Sequence, residues 1–186
     1  LCTAEDTTLS FLEYKIISLG ISIEIPVGYY AHIVPRSSTF GKWGILLANS
    51  IGAYFAMHTL QNCDIQKALL ISPILDMEQL ILDMMGWAKV SEQELAQKGE
   101  IPTDFGETLS WKYLCFVREH PIDWKVPTEI LYAEHDHLTS LQTVTRFAET
   151  HNAHLTILEG GEHWFHTESQ LAFLDRWMQQ ALGSDR

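Results

Sequence analysis

A serine that is to act as a nucleophile must be held at a sharp turn, and one serine of this 186-residue chain sits where strand-like sequence becomes helix-like. Ser50 lies within Gly44-Ile-Leu-Leu-Ala-Asn-Ser-Ile-Gly-Ala-Tyr-Phe-Ala-Met-His58. Ile45 to Leu47 form a short apolar run. Ala53, Ala56, Met57 and Leu60 then recur at helical spacing, so the period changes at Asn49-Ser50-Ile51. Small residues, Ala48 and Gly52, stand two positions either side of the serine. A nucleophile elbow needs them there, because its turn is strained and the strand and helix backbones approach closely. The signature here is A-x-S-x-G rather than G-x-S-x-G. The plain alternative is an ordinary strand-to-helix turn whose serine caps the helix.

Imidazoles are the second chemical resource. His135, His137, His163 and His166 cluster in two short stretches, a spacing that suits zinc. No H-E-x-x-H pattern accompanies them, and no metal or other cofactor is expected. Cys2, Cys63 and Cys115 are widely separated and form no C-x-x-C pair, which argues against a disulfide framework and a thiolate zinc site. A reducing, cytoplasmic location is the resulting expectation. With 12 basic against 24 acidic residues the net charge is -12, so nucleic acid and anionic membranes are poor partners and a neutral small molecule suits better. No stretch approaches the roughly 18 uninterrupted apolar residues of a membrane-spanning helix. Oligomeric state is left open by these features.

The elements that must carry these residues fall into two groups. Residues 1–43 read as β, through Tyr14–Leu19, Ile21–Ile25 and Tyr29–Val34, with a turn at Pro26-Val-Gly28. Strand following strand without helical period predicts an antiparallel meander. From Gly44 the pattern changes: apolar strands at Ala68–Ser72, Glu129–Ala133 and His154–Leu158 alternate with amphipathic helices, as in a parallel α/β sheet. Between the strands at Ala68–Ser72 and Glu129–Ala133 lies a long helical insertion, expected over about 76–124. Leu80, Ile81, Met84 and Met85 form one apolar face of it, Ser91-Glu-Gln-Glu94 has capping-box spacing, and Leu109, Tyr113, Phe116 and Val117 make a second stripe. Leu171, Leu174, Trp177, Met178 and Leu182 give a closing helix.

Two resemblances follow these two groups. Residues 1 to about 52 resemble the start of a trimeric dUTP diphosphatase, on Leu1–Asp6, Leu19–Tyr30, Val34-Pro-Arg-Ser-Ser38 and Lys42-Trp-Gly-Ile45. The resemblance implies that Arg36, Ser37 and Ser38 donate to nucleotide phosphates, a match of guanidinium and hydroxyl groups to phosphate oxygens. It also implies magnesium with the nucleotide. The family's next motif carries a water-activating aspartate and a deoxyribose-reading tyrosine after the counterpart of Gly52. This chain reads Ala53-Tyr-Phe-Ala56 there, and it has no counterpart of the glycine-rich, arginine-containing tail.

Residues from about 44 to 182 resemble an α/β-hydrolase from nucleophile to histidine. The expected fold is therefore α/β: a partial α/β-hydrolase parallel sheet with a helical cap, preceded by an antiparallel β segment at 1–43. Lys125-Val-Pro-Thr-Glu-Ile-Leu-Tyr-Ala-Glu-His-Asp-His137 is similar to the strand and loop that carry the triad acid, which assigns Asp136 to that role with Glu134 as the nearest competitor. Glu159-Gly-Gly-Glu-His-Trp-Phe-His166 is similar to the histidine loop, and assigns His163 as the base with His166 as the weaker candidate. The resemblance further implies an oxyanion hole, one donor being the Ile51 backbone N–H. The other usually comes from a loop containing His-Gly, and no His-Gly precedes Ser50. Met84, Met85, Trp87, Trp111 and Phe116 are candidates for an apolar acyl pocket, or simply for packing the insertion.

The two resemblances overlap at Gly44 to Gly52, where G-I-x-x-x-N-S-I-G satisfies both, as a join at shared sequence would produce. Three functions compete: a serine hydrolase of carboxylic esters or related acyl compounds, a fragment of a dUTP diphosphatase, and an inactive recombined chain. Because no aspartate follows Gly52, purified protein is expected to release no pyrophosphate from dUTP. Magnesium-dependent release that Arg36→Ala abolishes would overturn this.

Overall fold

A computed structural model describes residues 44–183. The β segment expected at 1–43, with Arg36, Ser37 and Ser38, lies outside the described residues. The first element is strand β1 (Ile45–Asn49), and helix α1 (Ile51–Leu60) starts one residue after it. Strand β2 (Lys67–Ile71) follows, then helices α2 (Met77–Ala88) and α3 (Glu92–Lys98), the short strands β3 (Glu100–Pro102) and β4 (Thr108–Ser110), and helix α4 (Trp111–Glu119). The chain then returns through β5 (Thr128–His135), α5 (Leu141–Thr150), β6 (His154–Glu162) and α6 (Glu168–Gly183).

β1, β2, β5 and β6 form one sheet in that order, parallel throughout, with Leu47 opposite Leu69, Leu70 opposite Ile130 and Leu131 opposite Thr156. A parallel sheet needs cover on both faces, which explains the near-continuous apolar runs in β2 and β5. Alternation divides them. Ala68, Leu70, Ile130 and Tyr132 pack with Ala53 and Met57 of α1 and Val144 and Ala148 of α5. Leu69, Ile71 and Leu131 turn to the other face, against Leu174, Trp177, Met178 and Ala181 of α6. Each fully buried leucine contributes about 2 kcal/mol of transfer free energy, so the two central strands carry much of the stability.

Residues 77–119 build a cap over the carboxyl ends of the strands. Its core joins Met77, Leu80, Ile81 and Met85 of α2 with Leu95, Leu109, Leu114 and Val117. Ser91 caps α3 by accepting from the Glu94 N–H at 3.2 Å, as the spacing predicts. Arg118 ties the helices together outside, donating to Glu78 at 2.6 Å and to both oxygens of Glu92 at 2.8 and 3.0 Å. The guanidinium holds the Glu92 carboxyl below its ordinary range.

Three expectations need correction. The insertion is not wholly helical: β3 and β4 pair antiparallel, Glu100 opposite Ser110, around a turn in which the Thr103 N–H donates to the Glu107 carbonyl at 2.9 Å. Strands of three residues are too short to show a period of two, and Pro102 disguises one of them. The second apolar stripe is also displaced. Leu109 belongs to β4, Leu114 rather than Tyr113 is fully buried in α4, and Phe116 faces outward, stacked on His120 with ring centres 4.2 Å apart. Finally, β6 does not end at Leu158 but continues to Glu162 through an irregularity opposite Ala133 and His135. Gly160 adopts φ +64 there, and its N–H donates to the Glu134 carboxylate at 2.8 Å.

Among the described residues no helix is long and apolar enough to cross a membrane.

Ser50 stands at the join of β1 and α1 with φ 50 and ψ -130. A side chain in this region costs about 1–3 kcal/mol, which glycine avoids. Ser50→Gly is therefore expected to exceed Ser50→Ala in unfolding free energy by about 1 kcal/mol, after allowance for the greater entropy of an unfolded glycine. Urea titration of both variants measures the difference, and an alanine variant as stable as the glycine variant would remove the strain.

Candidate active site

The strained turn puts the Ser50 side chain at the carboxyl edge of the sheet, and two backbone bonds keep it there. The Ser50 N–H donates to the Ile71 carbonyl at 3.0 Å, and the Ser50 carbonyl accepts from the Ile74 N–H at 3.0 Å and the Ala53 N–H at 3.1 Å. The turn is thus bonded to the end of β2 and to the segment that leads into the cap. Ser50 makes no side-chain bond to the helix it precedes, so its hydroxyl is not a helix cap.

That hydroxyl instead lies 2.8 Å from Nε2 of His163, a residue 113 positions away. On the far side of the ring, Nδ1 lies 2.8 Å from Oδ2 of Asp136. The side chains of His163 and Asp136 are both wholly shielded from solvent. With Asp136 ionised, its Oδ2 accepts a hydrogen bond from Nδ1–H, which leaves Nε2 free to accept from the Ser50 hydroxyl. The carboxylate's other oxygen accepts the N–H groups of Leu138 at 2.8 Å and Thr139 at 3.2 Å. These bonds matter because a buried carboxylate without partners costs several kcal/mol.

The elements explain why these groups meet. Asp136 follows directly on β5, at the same edge of the sheet as the end of β1, and His163 follows directly on β6. The loop after β5 is braced by two bonds whose residues carry no sequence signal of function. Tyr132 donates its hydroxyl to the Thr139 carbonyl at 2.9 Å, and Thr139 donates its own to the Pro73 carbonyl at 3.1 Å. Only their shared burial at the end of the sheet reveals them.

The competing residues take other places. Glu134 is exposed and braces Gly160. His166 is exposed, with Nδ1 2.8 Å from the Trp164 carbonyl. His135 and His137 are exposed too, although the His137 ring stands edge-on to His163 at 5.8 Å between centres. Among the described residues no three His, Cys, Asp or Glu side chains gather where they could hold a metal ion.

Beside Ser50 opens a cavity of about 400 Å³, whose wall includes Ile51, Ile74, Met84, Trp87 and Tyr113. Ile51 is the first residue of α1, so its N–H has no acceptor within the helix. Of the residues singled out for an apolar pocket, Met84 and Trp87 line this cavity. Met85 is buried in the cap core, Trp111 packs against that core, and Phe116 is half-exposed outside it. The Tyr113 phenol is buried without a hydrogen-bond partner, and burial pushes its pKa up. Burial, with Tyr113 and Asp76 nearby, pushes that of Tyr54 up to about 12. A wider cleft of about 550 Å³ between β6 and α6 touches none of Ser50, Asp136 and His163.

Comparison with known proteins finds two kinds of likeness. No family model matches the sequence. A deoxyuridine 5'-triphosphate nucleotidohydrolase, the SPbeta prophage-derived YosS of Bacillus subtilis (strain 168), is 46% identical over 76 residues, covering 34% of this chain and 54% of that protein. A deoxyuridine 5'-triphosphate nucleotidohydrolase of Finegoldia magna is 48% identical over 50 residues, 27% of this chain and 35% of the relative. The chain thus spans about half or less of these curated relatives. Among solved structures, alpha/beta hydrolase domain-containing protein 10 from mouse superposes with a TM-score of 0.58 at 14% identity, over 76% of this chain and 62% of that one. Est1E from Butyrivibrio proteoclasticus gives 0.56 at 12% identity, over 74% and 60%. At such identities the likeness is one of fold: beside a short dUTP-nucleotidohydrolase-like stretch, this chain carries the α/β-hydrolase fold over about three fifths of its neighbours' length.

Proposed function

We propose that the chain is a serine hydrolase of carboxylic esters or related acyl compounds, with Ser50 as nucleophile, His163 as base and acid, and Asp136 as the group that orients the histidine. The observation that carries this reading is the unbroken hydrogen-bonded line from Ser50 Oγ through His163 to Asp136, beside an apolar cavity. Ser50 Oγ attacks the acyl carbonyl while Nε2 of His163 takes its proton. Asp136 keeps the ring in the tautomer that can accept and stabilises the imidazolium as it forms. The imidazolium then protonates the departing alcohol. Water, deprotonated by the same Nε2, releases the acid and restores the serine.

The negative charge on the tetrahedral oxygen falls to the Ile51 N–H at the start of α1, where the helix dipole also favours an anion. No His-Gly precedes Ser50 to supply the usual second donor, and an oxyanion hole short of one donor typically loses about 10²–10³ in rate. The substrate is a small acyl compound rather than nucleic acid. The unpaired thiols of Cys63 and Cys115 favour the reducing cytoplasm. A second reading, nucleotide binding through Arg36, Ser37 and Ser38, has the sequence similarity to dUTP nucleotidohydrolases in its favour, but not the missing aspartate.

A fluorophosphonate probe tests the proposal, because it needs an activated hydroxyl yet tolerates an incomplete oxyanion hole better than turnover does. Slow labelling of the folded protein with little esterase activity is expected. Ser50→Ala and His163→Ala should both lose labelling, whereas Asp136→Asn should keep a rate about ten- to a hundredfold above theirs, the order of difference found when such groups are removed singly. Labelling that persists in Ser50→Ala, or never occurs in the wild type, would sink the assignment.

A further inference from the structure

The cavity beside Ser50 has a direction as well as a volume. Along α2, Met77, Leu80, Ile81, Met84 and Trp87 all face it, at the i, i+3, i+4, i+7 and i+10 positions that make one stripe of a helix. From the first to the last of these the helix rises about 15 Å. The serine lies at the Met77 end, because Ile74, three residues before Met77, donates its N–H to the Ser50 carbonyl. At the other end Trp87 meets Phe105, from the turn between β3 and β4, edge to face with ring centres 6.1 Å apart. Both rings are about half-exposed, so they stand where the cavity reaches the surface.

We propose that this cavity is a ruler for an unbranched, uncharged acyl chain of about ten carbons, whose far end is set by Trp87 and Phe105. The proposal rests on the serine-hydrolase reading, which places the acyl carbonyl at Ser50. About 400 Å³ spread over about 15 Å gives a mean cross-section of about 27 Å², room for one alkyl chain and not for a branched or fused body. Ten carbons, at about 1.3 Å each when extended, fill most of that length. The α2 side of the wall is thioether, aliphatic and aromatic, and its methionines, Met77 and Met84, adapt to a flexible chain, while Thr108 and Ser110 add hydroxyls on the opposite side. Glu107 stands on the same wall, so a tail ending in a carboxylate meets a like charge.

The test is the hydrolysis of p-nitrophenyl esters from acetate to palmitate. In the wild type kcat/KM should rise about fourfold per methylene up to decanoate, the gain from burying one CH2 group, and fall at palmitate. Trp87→Ala, a change at a half-exposed side chain, should raise the palmitate-to-decanoate ratio at least tenfold. Met84→Trp should lower the decanoate-to-butanoate ratio by a similar factor. Binding of the same esters to Ser50→Ala, followed by tryptophan fluorescence, reads the cavity without chemistry. A fluorophosphonate-labelled Ser50 combined with a flat profile, or with an optimum that neither variant moves, overturns the ruler and leaves the hydrolase reading standing. An unlabelled Ser50 combined with a decanoate optimum in binding that Trp87→Ala shifts overturns the hydrolase reading and supports the ruler. Absence of both overturns both.

Discussion

Two backbone hydrogen bonds, from the Ser50 N–H to the Ile71 carbonyl and from the Ile74 N–H to the Ser50 carbonyl, hold the turn on which the rest of the site depends. They keep Ser50 at φ 50, one from the end of β2, itself pinned in the sheet, and the other from the segment that leads into the cap. A strain of about 1–3 kcal/mol is small beside the burial of the strands on either side, so the fold can sustain it. The return is geometric. The hydroxyl points away from the helix it precedes and toward His163, and the first N–H of that helix stays without an internal acceptor.

The remaining parts of the site are positioned by the same parallel sheet. In the order β1, β2, β5, β6, every strand runs the same way, so the turns that follow them lie along one edge. Ser50, Asp136 and His163 follow three of the four strands. The side chains of Asp136 and His163 are wholly shielded from solvent, which makes their mutual bond strong and their separation costly. The Leu138 and Thr139 N–H groups offset that cost at the carboxylate, and the Tyr132 and Thr139 hydroxyls fix the loop that presents them. The cap adds what the sheet lacks, a long apolar wall. Its own integrity comes from the buried face of α2 against Leu95, Leu109 and Leu114, with Arg118 bridging three helices at the surface.

Gly44 to Gly52, where the sequence resemblances to dUTP diphosphatases and to α/β-hydrolases overlap, forms strand β1 and the turn that carries Ser50. Physically this stretch needs an apolar strand followed by small residues and a serine. Gly44, at φ +65 with the Gln66 side chain close against its α-carbon, enters β1 where a side chain would collide.

Much of this architecture was legible in the sequence because burial on both faces, or on one face of a helix, leaves a periodic trace. The change of period at Ser50, the apolar runs of β2 and β5 and the stripe of α6 are local consequences of that rule. The extension of β6 past Leu158 was not legible, since Glu159-Gly160-Gly161-Glu162 has no apolar period and is held as strand by pairing with β5 and by the Glu134 carboxylate. Nor was the β3–β4 pair, whose strands are too short for a pattern to form. The choice between Asp136 and Glu134, and between His163 and His166, belongs to tertiary structure alone. Each pair is two or three residues apart in sequence, but an irregularity in the β5–β6 register and the turn after each strand bury one member and leave the other in solvent. Sequence determined which residue types stood at the strand ends. Only the order of the strands, and the burial that follows from it, decided which of them could reach a hydroxyl 113 residues away.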